Sequence, residues 1–195
     1  MLLQSNKLII IAAPSGAGKT SVTRHLLKAL PEQLAFSVSC ATRLPRNNEK
    51  DKVDYYFISV EEFKTRIQNK DFAEWEMVYE GKYYGTLKSE LKRIWALSKI
   101  PVLDIDVKGA IHVQQQYPET SLSLFIQTPS VDELKKRLES RGTETEESLA
   151  ARINKAAYEL SFKDQFNRLV TNDDLARACS ESKTIVADFL ANKSI

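Results

Sequence analysis

The sequence predicts an α/β fold: an open parallel sheet, interrupted by an inserted lobe of mixed strands and helices and followed by a small helical segment. Three observations carry this expectation. Continuous apolar runs at Lys7–Ala12 and Pro101–Asp106 read as strands buried on both faces, the pattern of a parallel sheet. Segments with helical spacing follow each run, and such alternation argues for an open α/β core. Between them, residues 36–98 change texture to short aromatic-rich stretches alternating with turns.

In chain order, the first apolar run leads through a short loop into a helix over Lys19–Leu30, with Val22, Leu26, Leu27 and Leu30 on one face and Pro31 as its stop. Phe36–Ser39, Tyr55–Ile58 and Trp75–Tyr79 read as strands, with a turn at Glu80-Gly81-Lys82. The capping box Ser59-Val60-Glu61-Glu62 opens a helix bearing Phe63 and Ile67, and a second helix covers Leu87–Leu97. The run from Pro101 ends in two acids, Asp104 and Asp106. A helix over Gly109–Tyr117 and a strand over Leu122–Ile126 follow. Ser130-Val131-Asp132-Glu133 is another capping box, for a helix through Ser140 that Gly142 ends. A long helix, about Glu146–Phe166, presents Leu149, Ile153, Ala157 and Leu160. After a strand near Leu169-Val170, a last helix carries Leu175, Cys179, Val186 and Leu190 on one face. The expected division is a core of 1–35, 99–130 and 167–195, an inserted lobe at 36–98, and a lid with its following helix at 131–166.

Composition narrows the function. Twenty-eight Lys and Arg against 26 Asp and Glu give a net charge of +2, too balanced for a general nucleic-acid binder. Leu8–Ala13 is far short of the ~20 apolar residues of a membrane span. Cys40 and Cys179 make no disulfide framework, so a reduced, cytoplasmic setting is expected. The two histidines, His25 and His112, stand apart from other ligand types, which argues against zinc chemistry or histidine acid–base catalysis; His25 is expected at the surface.

The most informative segment is Ala13-Pro14-Ser15-Gly16-Ala17-Gly18-Lys19-Thr20, which follows the phosphate-binding pattern G-x-x-x-x-G-K-[ST] with Ala13 in place of the first glycine. Glycines let the backbone curl until successive N–H groups converge on phosphate oxygens, and the helix start adds positive potential. Lys19 would reach the β- and γ-phosphates, and the Thr20 hydroxyl would take Mg²⁺. Asp104 and Asp106 stand at the carboxyl end of a buried strand, where ligands of open α/β sheets bind.

This loop, together with segments downstream in the same order, resembles the guanylate kinase family of P-loop nucleoside monophosphate kinases. The segments are Phe36–Arg46 (FSVSCATRLPR), Tyr83-Tyr84-Gly85-Thr86, Leu103–Asp106 (LDID), Arg137–Gly142 (RLESRG) and Val170–Asp174 (VTNDD). The resemblance implies a P-loop kinase core, a GMP-binding lobe and a lid, with transfer of the γ-phosphate of ATP to GMP, and to dGMP, in purine metabolism. It implies that Ser39, Glu74 and Thr86 contact guanine, that Arg43, Arg46, Tyr55 and Tyr84 hold the GMP phosphate, and that Asp104 and Asp106 lie where GMP and metal meet. ATP would lie on 13–20 with Asn172 near its adenine or ribose. Lys19, Arg43, Arg137, Arg141 and Arg152 would serve the transfer, and Mg²⁺ would be held by Thr20, the phosphates and, through a water, Asp104. Arg137 and Arg141 share a helix face, although Glu133 stands at pairing distance from Arg137. Two departures stand out: the charged loop Asn47–Lys52, and Lys108 where the family usually has Gln.

The residues speak against two other classes. A GTPase switch would need an N-K-x-D guanine motif, and Asn192-Lys193 is followed by Ser-Ile. A non-catalytic binding module of the same lineage is opposed by the intact Gly18-Lys19-Thr20, Arg43 and Arg141.

Overall fold

β1 (Leu8–Ala12) is buried along its whole length and forms the centre of the fold, a computed structural model describing residues 6–46, 48–140 and 146–191. Five strands lie side by side in the order β2 (Leu34–Phe36), β7 (Ile100–Asp104), β1, β8 (Ser121–Gln127) and β9 (Arg168–Thr171), every neighbouring pair parallel. Successive side chains of a strand point to opposite faces, so β1 feeds two apolar layers. Ile9 and Ile11 enter one, with Val22 and Leu26 of α1 (Lys19–Ala29), Leu134 and Leu138 of α5 (Val131–Glu139), and Ala178, Val186 and Phe189 of α7 (Leu175–Leu190). Leu8, Ile10 and Ala12 enter the other, with Leu91 of α3 (Lys88–Ala96) and Ala110 and Val113 of α4 (Val107–Gln116).

A second sheet runs β4 (Tyr55–Phe57), β3 (Ser39–Ala41), β6 (Lys82–Leu87), β5 (Phe72–Tyr79), with β3 and β4 parallel and the other pairs antiparallel. Gly81 turns the β5–β6 hairpin at a φ of 69°, a conformation that costs glycine little. Phe63 of α2 (Val60–Gln68) stacks on Phe72 at 4.3 Å between ring centroids, over Cys40 and Leu87, and burial there pushes the Cys40 thiol up to about 12.

Both predicted capping boxes cap from one side only. Ser59 Oγ accepts from the Glu62 amide at 3.0 Å and Ser130 Oγ from the Glu133 amide at 3.1 Å. The two glutamates turn forward instead, to Arg66 and Arg137 one helical turn on. The stretch Phe36–Ser39 divides between the sheets: Phe36 pairs with Val102, and the chain leaves the main sheet only after Ser37 donates to the Val102 carbonyl at 3.0 Å.

Three expectations near the C-terminus are corrected. α6 spans Glu146–Leu160 and does not continue to Phe166. The chain turns at Ser161 and Phe162, makes a short 3-10 turn at Lys163–Gln165, and drives Phe166 against Phe125 at 5.0 Å. On α6 the fully buried alanine is Ala156, with Ala157 exposed; on α7 Leu175 is 46% exposed, because the helix meets the core only from Ala178 onward. Gly142 lies outside the described residues.

Removing the ring that ends this turn measures its contribution. Phe166→Ala should lower the unfolding free energy by about 3 kcal/mol in a urea titration. A loss below about 1 kcal/mol would mean that the turn is held by other contacts.

Candidate active site

Residues 13–18 run directly off the carboxyl end of β1 into α1. Ala13, Pro14 and Ala17 are buried, the Ala17 amide donates to the Pro14 carbonyl at 3.1 Å, and Gly16 and Gly18 take φ values of 94° and 98°. Those angles are strained for any residue with a side chain, and a Cβ on Gly18 would also run into the Asn172 amide. Gly18 caps α1 with no side-chain acceptor, so the N–H groups at the helix start are left to an anion. Asn172 is buried and donates through Nδ2 to the Ala17 carbonyl at 2.7 Å. Its amide therefore braces the loop from behind.

Lys19 turns across the carboxyl end of the sheet. Its Nζ lies 2.7 Å from Asp104 Oδ1 and donates to the Ile105 carbonyl at 2.6 Å. Thr23, one turn along α1, donates to Asp104 Oδ2 at 3.4 Å. Asp106 caps α4, accepting from the Gly109 amide at 2.7 Å. Thr20 is exposed at the mouth of the loop.

The opposite wall comes from the second sheet. A cavity of about 220 Å³ is lined by Lys19, Asp104 and Asp106 on one side and by Ser39, Arg43, Arg46, Tyr55, Glu74 and Tyr84 on the other. Arg43 donates to the Tyr84 hydroxyl at 2.9 Å and lies 5.0 Å from the Tyr55 ring centroid. Its fork is engaged by both carboxylate oxygens of Glu49, at 2.5 and 2.6 Å, so Arg43 is held well above its ordinary pKa and Glu49 down at about 2. A fork that grips a carboxylate in two places presents the geometry that also grips a phosphate. Burial pushes the Tyr55 hydroxyl up, with the Asp104 charge adding to it.

Glu74 is the buried acid of this wall, 4% exposed. Its Oε1 accepts from the Thr86 hydroxyl at 2.6 Å, and Thr86 Oγ1 lies 3.5 Å from Ser39 Oγ. Burial is the main force on it; it outweighs the Thr86 bond, is reinforced by Asp106, and raises the carboxyl to about 7. Gly109 is needed here for space, since a Cβ would come within 2.7 Å of Glu74 Oε2.

The helical side completes the crevice. Arg152, Lys155 and Glu159 of α6 line a cavity of about 400 Å³ with residues 13–16, Gly18, Lys19 and Thr20; Arg46 and Asp106 also reach it. Arg137 lies on α5, where its Nε donates to Glu133 at 3.0 Å and its Nη2 to the Asn172 carbonyl at 3.0 Å. Arg141 lies outside the described residues. Lys108 places its ammonium 5.4 Å from the Tyr158 ring centroid, in a cavity that Asp106 also lines. Sequence reasoning missed Glu49, Lys155 and Glu159. The last two were within reach, since Arg152, Lys155 and Glu159 share one helical face.

A phosphate-gripping loop facing, across paired acids, a pocket with a buried carboxylate and arginines defines a P-loop phosphotransferase core with a second, polar binding wall. Comparison with known proteins agrees. The family model described as guanylate kinase matches residues 5–189. The chain is 46% identical to guanylate kinase of Bacteroides fragilis over 184 residues, covering 94% of this chain and 90% of that protein. It is 43% identical to guanylate kinase of Porphyromonas gingivalis, covering 95% and 98%. The crystal structure of guanylate kinase from Anaplasma phagocytophilum superposes with a TM-score of 0.72 at 25% identity, covering 93% of this chain and 84% of that one. The chain belongs to the guanylate kinase family.

Glu74 makes the stability of the free protein pH-dependent in a stated direction. Its carboxyl keeps its proton to about 7 when folded and to about 4.5 when unfolded. Between those values the folded state binds more protons, so raising the pH removes stability. Glu74→Gln should therefore gain on wild type by about 1–3 kcal/mol between pH 4.5 and 8, one pKa unit being worth about 1.4 kcal/mol. Urea titrations at several pH values check this, and parallel curves for the two proteins would place the perturbed group elsewhere.

Proposed function

We propose that the chain transfers the γ-phosphate of ATP to GMP, and to dGMP, giving ADP and GDP in the cytoplasm. The observation that carries this reading is the cavity whose lining joins Lys19 and Asp104 to Glu74, Tyr84 and the two arginines. ATP phosphates on residues 13–20 and a nucleoside monophosphate on the second sheet would meet there.

Glu74 suits guanine. Its carboxylate can accept from N1–H and the exocyclic amine together, whereas adenine presents an acceptor at N1 and would be repelled. Ser39 and Thr86 stand beside it for the rest of the base edge. Arg43, Arg46, Tyr55 and Tyr84 form the phosphate end, and the phosphate would take over the fork that Glu49 engages.

Phosphoryl transfer depends on charge neutralisation and in-line positioning more than on a general base. That suits a site whose cations include Lys19, Arg43, Arg46, Arg152 and Lys155 and whose lining includes no histidine. Lys19 would leave its pairing with Asp104 partly for the phosphates and follow the charge that builds on the migrating group. Arg137 and Arg141 are assigned to the lid over ATP by the resemblance. The proposed lid at 131–166, and a nucleotide lobe narrower than 36–98, since Phe36 pairs in the main sheet and α3 packs on the main body, would allow closure that excludes water and so suppresses hydrolysis of ATP.

The site fits Mg²⁺ brought in by the nucleotide. Thr20 offers a hydroxyl and Asp104 a carboxylate, and among the described residues no cluster of three or more His, Cys, Asp or Glu forms a protein-only cage. Thr20 and, through a water, Asp104 would hold the ion, which would supply neutralisation of the phosphate charge. No helix among the described residues is long and apolar enough to cross a membrane, and the buried, unpaired Cys40 and Cys179 suit a reducing compartment.

Two variants test the assignment in a coupled assay of ADP release. Lys19→Ala should lower kcat roughly 10²-fold with the fold intact by circular dichroism. Glu74→Gln should lower kcat/KM for GMP by roughly 10²-fold and leave the KM for ATP nearly unchanged. ADP release that does not depend on GMP in the wild type, or a Glu74→Gln enzyme with full GMP activity, contradicts the reading.

A further inference from the structure

Glu90 is a buried carboxylate outside the pocket, 3% exposed, on a helix that belongs to the main body. α3 packs Leu91 into the apolar layer under β1, and the Trp95 indole N–H donates to the Lys7 carbonyl at 2.8 Å. From this fixed base the Glu90 side chain reaches outward to the residue just before β3 and to β4 of the second sheet. Oε1 accepts from the Val38 amide at 3.1 Å, and Oε2 accepts from the Tyr56 hydroxyl at 3.0 Å. Arg93, on the same helix, engages both oxygens at 2.8 Å. Burial by itself would raise this carboxyl; the Arg93 fork, the Val38 amide and the Tyr56 hydroxyl outweigh it and hold the pKa below its usual value. The group is thus a buried anion with every oxygen engaged, the condition under which such a charge is tolerated.

Its position gives it a use. Ser37 is still bonded to Val102 in the main sheet, Val38 is bonded to Glu90, and Ser39 begins β3 and lines the pocket. The backbone therefore crosses from one sheet to the other at the residue that Glu90 holds. Tyr56 is gripped on one face of β4 while its neighbours Tyr55 and Phe57 point to the other, where their rings flank Arg43 at 5.0 and 5.6 Å. We infer that Glu90 is a positioning residue for monophosphate binding: anchored to the main body and neutralised by Arg93, it sets Ser39 and Tyr55 against the P-loop wall through Val38 and Tyr56. This rests on the GMP reading of the pocket.

The test pairs kinetics with amide exchange in the full-length protein. Glu90→Ala should raise the KM for GMP roughly tenfold, the equivalent of one lost charged hydrogen bond, while the KM for ATP moves by less than about twofold. By NMR, the Val38 amide should lose its protection in Glu90→Ala while the neighbouring Ser37 amide, bonded to the main sheet, keeps it. Tyr56→Phe removes one hydroxyl only and should raise the KM for GMP roughly threefold, which keeps the inference testable if Glu90→Ala does not fold. Equal changes in both KM values, or an unchanged KM for GMP, would overturn it, as would a Val38 amide that stays protected. Wild-type enzyme without GMP-dependent ADP release would sink the function assignment instead; the exchange arm would still judge the Glu90 bracket.

Discussion

The structure turns on one ion pair between the first residue of α1 and the last residue of β7, at the edge where two neighbouring parallel strands end. β1 and β7 pair in a register that sets Ile11 beside Asp104, so the loop leaving β1 and the acid ending β7 emerge at the same edge. Lys19 closes that gap, held by Asp104 and the Ile105 carbonyl. The arrangement keeps a cation in place where phosphate charge would gather, and a partner that is itself partly solvated can release it. The apolar faces of β1, the strained glycines and the Asn172 brace all serve to hold this edge in one shape.

In the proposed reading, the second sheet would supply what a phosphate loop lacks, a means of choosing an acceptor. Its buried acid is kept near its titration point by low dielectric surroundings, ready to be matched by paired donors. Its arginine is pre-oriented by Glu49, Tyr84 and Tyr55. Acidic groups thus order the cations on both walls: Asp104 holds Lys19 and Glu49 holds Arg43. In the proposed reading, an incoming phosphate would compete with a carboxylate for a geometry already formed, which would lower the ordering cost of binding.

Much of this was legible in the chain. The double-sided apolar run before Gly16 and Gly18 named both the parallel sheet and the loop, because burial on two faces leaves no other pattern. Lys19, Asp104, Glu74 and Tyr84 were singled out, and they line one cavity. What escaped depends on contacts distant in sequence. Glu90 reads as an ordinary helix-surface acid until α3 is laid against Val38 and Tyr56. Glu49 sits in a charged loop whose spacing does not announce a fork partner. The end of α6 is decided by Phe166 finding Phe125, far earlier in the chain and invisible to helical periodicity. Leu175 shows the reverse error, since an apolar stripe can begin before its helix reaches the core.

The central claim is that donor and acceptor phosphates meet directly across the Lys19–Asp104 edge, with no protein nucleophile between them. The stereochemistry at phosphorus tests it. When the transferred group is a γ-thiophosphate made chiral with oxygen isotopes, a single in-line displacement onto GMP inverts its configuration. The account predicts inversion; retention would require a phosphorylated enzyme intermediate and contradict it.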